Sequence, residues 1–298
     1  MNPPERLLKF DSHSAIQDAK LYPRWEQREC MENVAVVMHE LFPDLFEFPV
    51  NVCWRPVGSP YVNWESWESD RYICLTSDPN QLFYAQIAYQ LFHELGHLAI
   101  GYDPNVHHDR YGNRRNITAW FVETICMAIS YVGMSRLTDQ WKSSDAFWKR
   151  SFSYSFADNR YENINNQIRK LGSHPVDLSA YLRQNAVERL QVNNNDKTAH
   201  GVLAIKIAEV IEEFLCKDLH SIQSLSTVEA HTINSRSGSF QFMDFSSWIQ
   251  SLSGEHLRKE LAVEIHEYLK SIDPRLTDFP PQTYDNTFGL KTTSIAVP

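Results

Sequence analysis

The spacing of hydrophobic positions predicts a long helix near the start of the chain. Within residues 24–42 the apolar side chains recur at helical intervals, at Met31, Val34, Val37, Met38 and Leu41. Pro43 follows directly, and proline cannot continue a helix. We therefore expect this helix to end at about residue 42.

Three short segments rich in β-branched and aromatic residues come next. They cover residues 48–57, 61–66 and 71–76, and turn residues such as Gly58 and Pro60 separate them. The pattern predicts two or three antiparallel strands.

A second long helix is predicted directly after the last of these strands. Ser77 or Asp78 can cap its start, Pro79 suits its first turn, and Gly101 can end it. It should therefore cover about residues 79–100. Its second half reads "YQLFHELGHLAIG" and carries three polar residues in an apolar surrounding.

The rest of the chain is predicted to be mostly helical. A polar loop at 102–116 leads to a strongly apolar helix at 117–134, and the further helical segments are roughly 139–150, 156–171, 176–191, 199–217 and 255–271. Residues 229–241 have the composition of a loop. The pattern predicts an α+β chain in three parts, namely a core at 1–135, a helical C-terminal subdomain at 136–272 and an irregular tail at 273–298.

Composition and charge narrow the class of protein. Of the 298 residues, 43% are hydrophobic, which is enough for a sizeable core, and the net charge of −9 disfavours nucleic acid and anionic membranes as partners. The five cysteines form no CxxC pair, which is typical of reduced core cysteines. The first residues lack the apolar region of a signal peptide. We expect a cytoplasmic protein, with secretion without a cleavable signal as an alternative.

The segment 117–134 also invites comparison with a transmembrane helix. It has only 18 residues and carries Glu123 near its middle. Both features favour a buried helix of a globular protein.

The polar residues of the second helix have the spacing of a zinc-peptidase motif. Residues four apart on a helix lie about 40° apart around its axis, so His93 and His97 can both face one ion. Glu94 points about 100° away and can instead reach a water at that ion. The motif HExxH therefore supplies two ligands and a general base, which takes a proton from the attacking water and gives it to the leaving amine. The alternative is a pair of hydrogen-bonded histidines in a buried helix.

Gly96 adds a further clue within the same motif. A glycine inside a helix costs about 1 kcal/mol relative to alanine. Its presence is explained if a second backbone packs closely against the helix that carries the histidines.

"HELGH" after a strand, followed by a helix that contains "WFVETICMAIS", resembles the zincin metallopeptidases of the gluzincin branch. The layout is also similar to ImmA/IrrE-type intracellular peptidases, and the resemblance covers about residues 48–134. It implies a zincin-like core, built from a small antiparallel sheet, the HExxH helix and a glutamate helix. It further implies a zinc ion held by His93, His97 and Glu123, with Glu94 as the base. The substrate would be a protein or peptide, cleaved within its chain, and a specific intracellular target is expected.

Alternatives for the third ligand stay open. Asp103 lies six residues after His97, where metzincin-like enzymes place theirs, but the glycine of that turn stands at 101 rather than 100. His107 and His108 are further candidates. Glu123 would then pair with a cation such as Arg114 or Arg115.

The chain also departs from the gluzincin pattern. Position 127, where many gluzincins carry an acid beside a zinc histidine, is Met127, and Asp103, Asn116 or a backbone carbonyl would have to replace that acid. The residue that supports the oxyanion is not evident, and the candidates are His174, Tyr161 and His200. These departures leave a second function open, a non-catalytic helical interaction protein with a structural or degenerate zincin site. The sequence does not indicate an oligomeric state.

Overall fold

A small mixed sheet leads into a layer of long helices in this computed structural model of the protein. The structure describes residues 7–10, 24–46, 49–54, 60–63, 72–76, 83–101, 120–170, 180, 182–183, 197–234, 241–252 and 254–277. The α-helices are α1 Trp25–Leu41, α2 Tyr84–Ala99, α3 Trp120–Lys142, α4 Phe147–Lys170, α5 Lys197–Lys217, α6 Phe245–Ser251 and α7 His256–Ile272. The strands are β1 Leu8–Phe10, β2 Val50–Trp54, β3 Tyr61–Asn63, β4 Tyr72–Leu75, β5 Thr232–Asn234 and β6 Gln241–Met243. These elements confirm the general α+β class.

The main sheet has the strand order β1-β2-β4-β3 and mixes both pairing directions. β2 runs parallel to both β1 and β4, and only β3 and β4 pair in the antiparallel sense. The prediction of a purely antiparallel sheet is therefore wrong. The chain reverses direction twice between β2 and β4, so β4 comes back along β2 in the same sense. The helix α1 carries the chain from β1 to β2, which makes that pair parallel too.

The first two helices agree with the periodicity of the sequence. α1 ends at Leu41, and Pro43 opens a 3-10 helix at Pro43–Phe46. α2 ends at Ala99, and Gly101 adopts a positive φ of 79°, as expected for a residue that terminates a helix. The predicted cap at residues 77–79 lies outside the described residues.

The boundary between the next two helices differs from the prediction. α3 continues past residue 134 to Lys142, and α4 is one helix where two were expected. The break falls between them because Ser144 and Asp145 support a turn. The Ser144 hydroxyl accepts a hydrogen bond from the Ala146 amide, and the Arg150 guanidinium donates to the carbonyls of Ser144 and Asp145.

The predicted loop at 229–241 is also wrong in part. A 3-10 helix at Glu229–His231 leads into β5, which pairs with β6 as an antiparallel hairpin. A longer 3-10 helix at Leu219–Thr227 was not predicted. The predicted tail begins with a 3-10 helix at Pro274–Leu276, and residues 278–298 lie outside the described ranges.

α3 lies at the centre of the packing. It contacts α1, α2, α4 and α5, and most of its side chains are buried. It crosses residue 135, where the sequence predicted a domain boundary, without a break. The buried apolar cluster extends from Leu8 in β1 to Leu276. In the described part of the chain, no helix combines the length and hydropathy that a membrane span requires.

Candidate metal centre

The site is built where α2 and α3 pack closely in antiparallel directions. A Cβ at Gly96 would lie 3.4 Å from the Cα and the Sγ of Cys126. One turn earlier on α2, the ring of Phe92 lies against Gly133, further along α3. Gly96 therefore faces the backbone of α3, as expected, but at a distance that a Cβ could still occupy. The close approach brings the first turn of α3 next to the HExxH motif.

Three potential ligands converge at this contact. Nε2 of His93 lies 3.3 Å from Oε2 of Glu123, and Nε2 of His97 lies 3.3 Å from Oε1 of the same carboxylate. The two imidazole rings are 4.9 Å apart between centroids and nearly perpendicular. One donor atom from each of the three residues lies within 4.8 Å of the others. Glu123 lies in the first turn of α3 rather than near the middle of a helix.

These distances fit a tetrahedral zinc site. Zinc binds histidine nitrogen and carboxylate oxygen at about 2.1 Å, so two ligand atoms of a tetrahedral ion lie about 3.4 Å apart. The observed nitrogen–oxygen distances of 3.3 Å match that separation. Two imidazoles and one carboxylate are also a ligand set of catalytic zinc, which keeps a fourth position open. The residues present therefore fit the ion.

The electrostatics of the cluster favour a positive charge at its centre. Burial raises the pKa of Glu123, but the charge of His97 and hydrogen bonds from both histidines outweigh it and hold that pKa well below its usual range. Burial lowers the pKa of His97, but Cys126 and Glu123 raise that pKa by a larger amount. The pKa of His97 therefore lies well above its ordinary value. A proton or a divalent cation can supply the charge that the carboxylate requires.

Glu94 lies beside this group without belonging to it. Its side chain is buried, and burial raises the pKa of its carboxyl, while His93 and His97 partly oppose that rise. A carboxylate with a raised pKa is a better proton acceptor. Its position directly after His93 on α2 therefore places a buried carboxyl beside the three potential ligands and separate from them.

Tyr89 is a site neighbour that the sequence reasoning missed. Its ring stacks on that of His93, with centroids 6.4 Å apart and planes 23° apart. Burial, and then the neighbouring Tyr131 and Glu123, raise the pKa of its hydroxyl well above the usual value. The signal was available, because Tyr89 precedes His93 by four residues and so shares its helix face.

Cys126 is the second missed neighbour. Its thiol is within hydrogen-bonding reach of the His97 imidazole, and burial raises the thiol pKa to about 11 although His97 lowers it in part. It follows Glu123 by three residues and lies on the same side of α3. Cys126 therefore makes the contact to His97. Met127, at the position where many gluzincins carry an acid, is partly buried and packs against the core.

The other predicted candidates do not join the cluster or lie outside the described residues. Those outside are Asp103, His107, His108, Arg114, Arg115, Asn116 and His174. Tyr161 is 65% exposed on α4. His200 is buried in α5 and is not part of the ligand group found among the described residues.

Comparison of the chain with protein-family models, with curated proteins and with solved structures gives no significant match.

Proposed function

We propose that the protein is a zinc-dependent peptidase of the gluzincin-like zincin type, similar to ImmA/IrrE-type peptidases. The observation that carries this proposal is the convergence of His93, His97 and Glu123 within 4.8 Å, with the buried Glu94 beside them. A purely structural ion site does not need a buried carboxyl such as that of Glu94 beside its ligands. The arrangement provides both ligands and a base, which together support hydrolysis of a peptide bond.

Each residue has a distinct role in this proposal. His93 and His97 would hold the ion through their imidazoles, and Glu123 would hold it through its carboxylate. Zinc, when bound, acts as a Lewis acid and lowers the pKa of water to about 7. Glu94 accepts the proton of the attacking water on a carboxylate oxygen and then donates it to the nitrogen of the leaving amine. Its buried position helps because a raised pKa lets the carboxyl hold that proton between the two steps.

The sheet offers a place for an extended substrate. β3 is the last strand in the described sheet, and it contacts α2, which carries the motif. A peptide can bind as an added strand at such an edge through backbone hydrogen bonds. This arrangement supports cleavage within a chain, and we propose a specific intracellular protein as the target.

The ligand set is tested by metal content. The protein is loaded with zinc, passed through gel filtration to remove unbound metal, and analysed by inductively coupled plasma mass spectrometry. Wild type should contain one zinc per chain, and the His93→Ala and Glu123→Ala variants should contain none. His256→Ala is the matched control, because the side chain of His256 is 83% exposed on α7. Zinc retained in Glu123→Ala and lost only in Asp103→Ala would overturn the assignment of Glu123.

The catalytic role is tested with Glu94→Gln. This variant should keep its zinc and lose cleavage of a defined peptide library by at least about a hundredfold, which is the contribution typical of a general base. Glu213→Gln, on the exposed surface of α5, is the control and should cleave like wild type. If wild type holds one zinc and cleaves neither a library peptide nor any protein partner offered to it, the alternative of an interaction protein with a structural zincin site replaces the proposal.

A further inference from the structure

Two of the five cysteines lie side by side in the main sheet. Cys53 in β2 and Cys74 in β4 are direct partners in the register of these parallel strands. Their Sγ atoms are 2.6 Å apart, and both residues are buried. The sequence predicted reduced core cysteines without a CxxC pair, so this adjacency was not expected.

The backbone geometry at this pair permits a covalent bond. Neighbouring strands lie about 4.8 Å apart. The Cα atoms of disulfide-bonded cysteines are usually about 4.4–6.8 Å apart. Adjacent partners on neighbouring strands therefore fall inside the range, and the side chains already point at each other. Only a small movement of the two sulfur atoms is needed.

We propose that Cys53 and Cys74 form a reversible disulfide when the protein meets a peroxide. One cysteine loses its proton, its thiolate attacks a peroxide oxygen, and the O–O bond breaks; the hydroxide that leaves takes up the released proton to become water as the sulfenic acid forms. The second cysteine then loses its proton and attacks the sulfenic sulfur, the S–S bond forms, and the hydroxide that leaves takes up this second proton to become a second water. The two thiols lose two electrons in total, and hydrogen peroxide is reduced to two waters. A dithiol reductant reverses the reaction by thiol–disulfide exchange.

The disulfide would fix the part of the sheet that borders α2, the helix that carries the HExxH motif. It closes a loop that contains β3, the strand at the sheet edge. Two residues after Cys74, the Thr76 amide and hydroxyl both hydrogen-bond with the Gln90 side chain at 3.3 Å. Gln90 precedes His93 by three residues on α2. Oxidation therefore tightens a unit that reaches from the sheet edge to the candidate metal centre.

The other cysteines have different surroundings and serve as internal references. Cys30 contacts the carbonyl of Tyr84 at 3.8 Å, and Cys126 packs against α2 beside His97. Cys216 is exposed on α5. If burial alone governed the reaction with peroxide, Cys30 and Cys126 would behave like Cys53 and Cys74.

The test uses the full chain treated with hydrogen peroxide and then unfolded in iodoacetamide without reductant. Peptide mass mapping should find one linked species that joins the Cys53 and Cys74 peptides, and a dithiol should separate it. Cys30 and Cys126 should be alkylated in the same digest. Full alkylation of Cys53 and Cys74 after peroxide treatment would overturn the proposal. This readout does not depend on peptidase activity, so it stands apart from the proposed function.

Thermal unfolding gives a second readout. A cross-link across a loop of this length should raise the melting midpoint of the oxidised protein by about 5 °C over the reduced protein. Cys216→Ser should keep this shift, and Cys53→Ser should lose it. A shift of the same size in Cys53→Ser would count against the pair. If that variant fails to fold, the peptide map of wild type decides the question.

Discussion

Replacement of Gly133 by alanine should destabilise the protein, whereas the same change at Gly96 should not. Both glycines lie where α2 and α3 meet, but their surroundings differ. A Cβ at Gly133 would lie 2.5 Å from two carbons of the Phe92 ring, while a Cβ at Gly96 would lie 3.4 Å from its nearest neighbour, Cys126. The first distance is a severe overlap and the second is ordinary contact.

The expected magnitudes follow from these distances. Carbon atoms pack best at about 3.5–4.0 Å, so at Gly133 the two helices must separate by about 1 Å or the buried ring must move. Overpacking of this kind costs about 1–3 kcal/mol, and an overlap against a fully buried ring belongs at the upper end. Alanine recovers about 1 kcal/mol of helix propensity. Gly133→Ala should therefore lose about 2 kcal/mol, and Gly96→Ala should gain up to about 1 kcal/mol.

The assay is thermal unfolding followed by circular dichroism, with a chelator present so that bound metal does not contribute. For a chain of this size the loss at Gly133 corresponds to a melting midpoint about 4 °C lower. The Phe92→Leu background supplies the control, because a smaller side chain leaves room for the new methyl group. In that background, Gly133→Ala should cost little, which gives a measurable coupling between the two positions.

Two results would refute this reasoning. Gly133→Ala could unfold at the wild-type midpoint, which would mean that the helices do not approach as closely as the structure shows. Alternatively, its cost could be the same in wild type and in Phe92→Leu, which would place the strain elsewhere.

Three further predictions concern the metal centre and the C-terminal turn. Cys126→Ala should lower zinc affinity by about tenfold in a chelator competition, because a group that orients a ligand is removed, and Cys30→Ala should not. Removal of zinc with a chelator should lower the melting midpoint of wild type and leave that of His93→Ala unchanged. Asp273→Asn should cost about 1 kcal/mol in urea unfolding at neutral pH. Burial raises the pKa of Asp273, but hydrogen bonds from Arg275 outweigh it and lower the pKa, so the charged form stabilises the fold. That stability is present above the unfolded pKa of about 3.9 and is lost as the pH falls through the folded value, so the gap between Asp273→Asn and wild type should close in acid.

The helices of the N-terminal half could be predicted because their signal is local. The apolar spacing in α1 and the glycine at 101 locate their ends within a few residues. The pairing of His93 with His97 is local as well, since helix geometry alone places residues four apart on one face.

The sheet pairing could not be predicted in the same way. Strand direction depends on how distant segments return, and nothing within residues 50–54 distinguishes a parallel neighbour from an antiparallel one. β1 has only three residues, too few for a periodic pattern, and its parallel register with β2 is set after α1 has reversed the chain. The adjacency of Cys53 and Cys74 is a consequence of that pairing and was hidden with it.

The candidate site likewise has one part that follows from local sequence and one part that depends on how distant segments pack. Glu123 was proposed from a resemblance, and its approach to His97 depends on how α2 and α3 cross, which no local pattern contains. Cys126 is three residues further along α3, so once Glu123 faces the histidines, the thiol must face α2 as well. Once Glu123 is assigned to the site, helix geometry therefore also assigns Cys126 to it.

The continuity of α3 has a consequence for genetics. Glu123 lies in its first turn, and Trp141, about 27 Å away along the axis, packs in an aromatic cluster with Tyr84, Trp148 and Phe156. Because α3 is one continuous helix, a displacement of the helix near Trp141 also displaces Glu123. A random-mutagenesis screen for lost zinc should therefore return substitutions around Trp141 as well as at the ligands, and proximity to the ion would be a poor guide for ranking the hits.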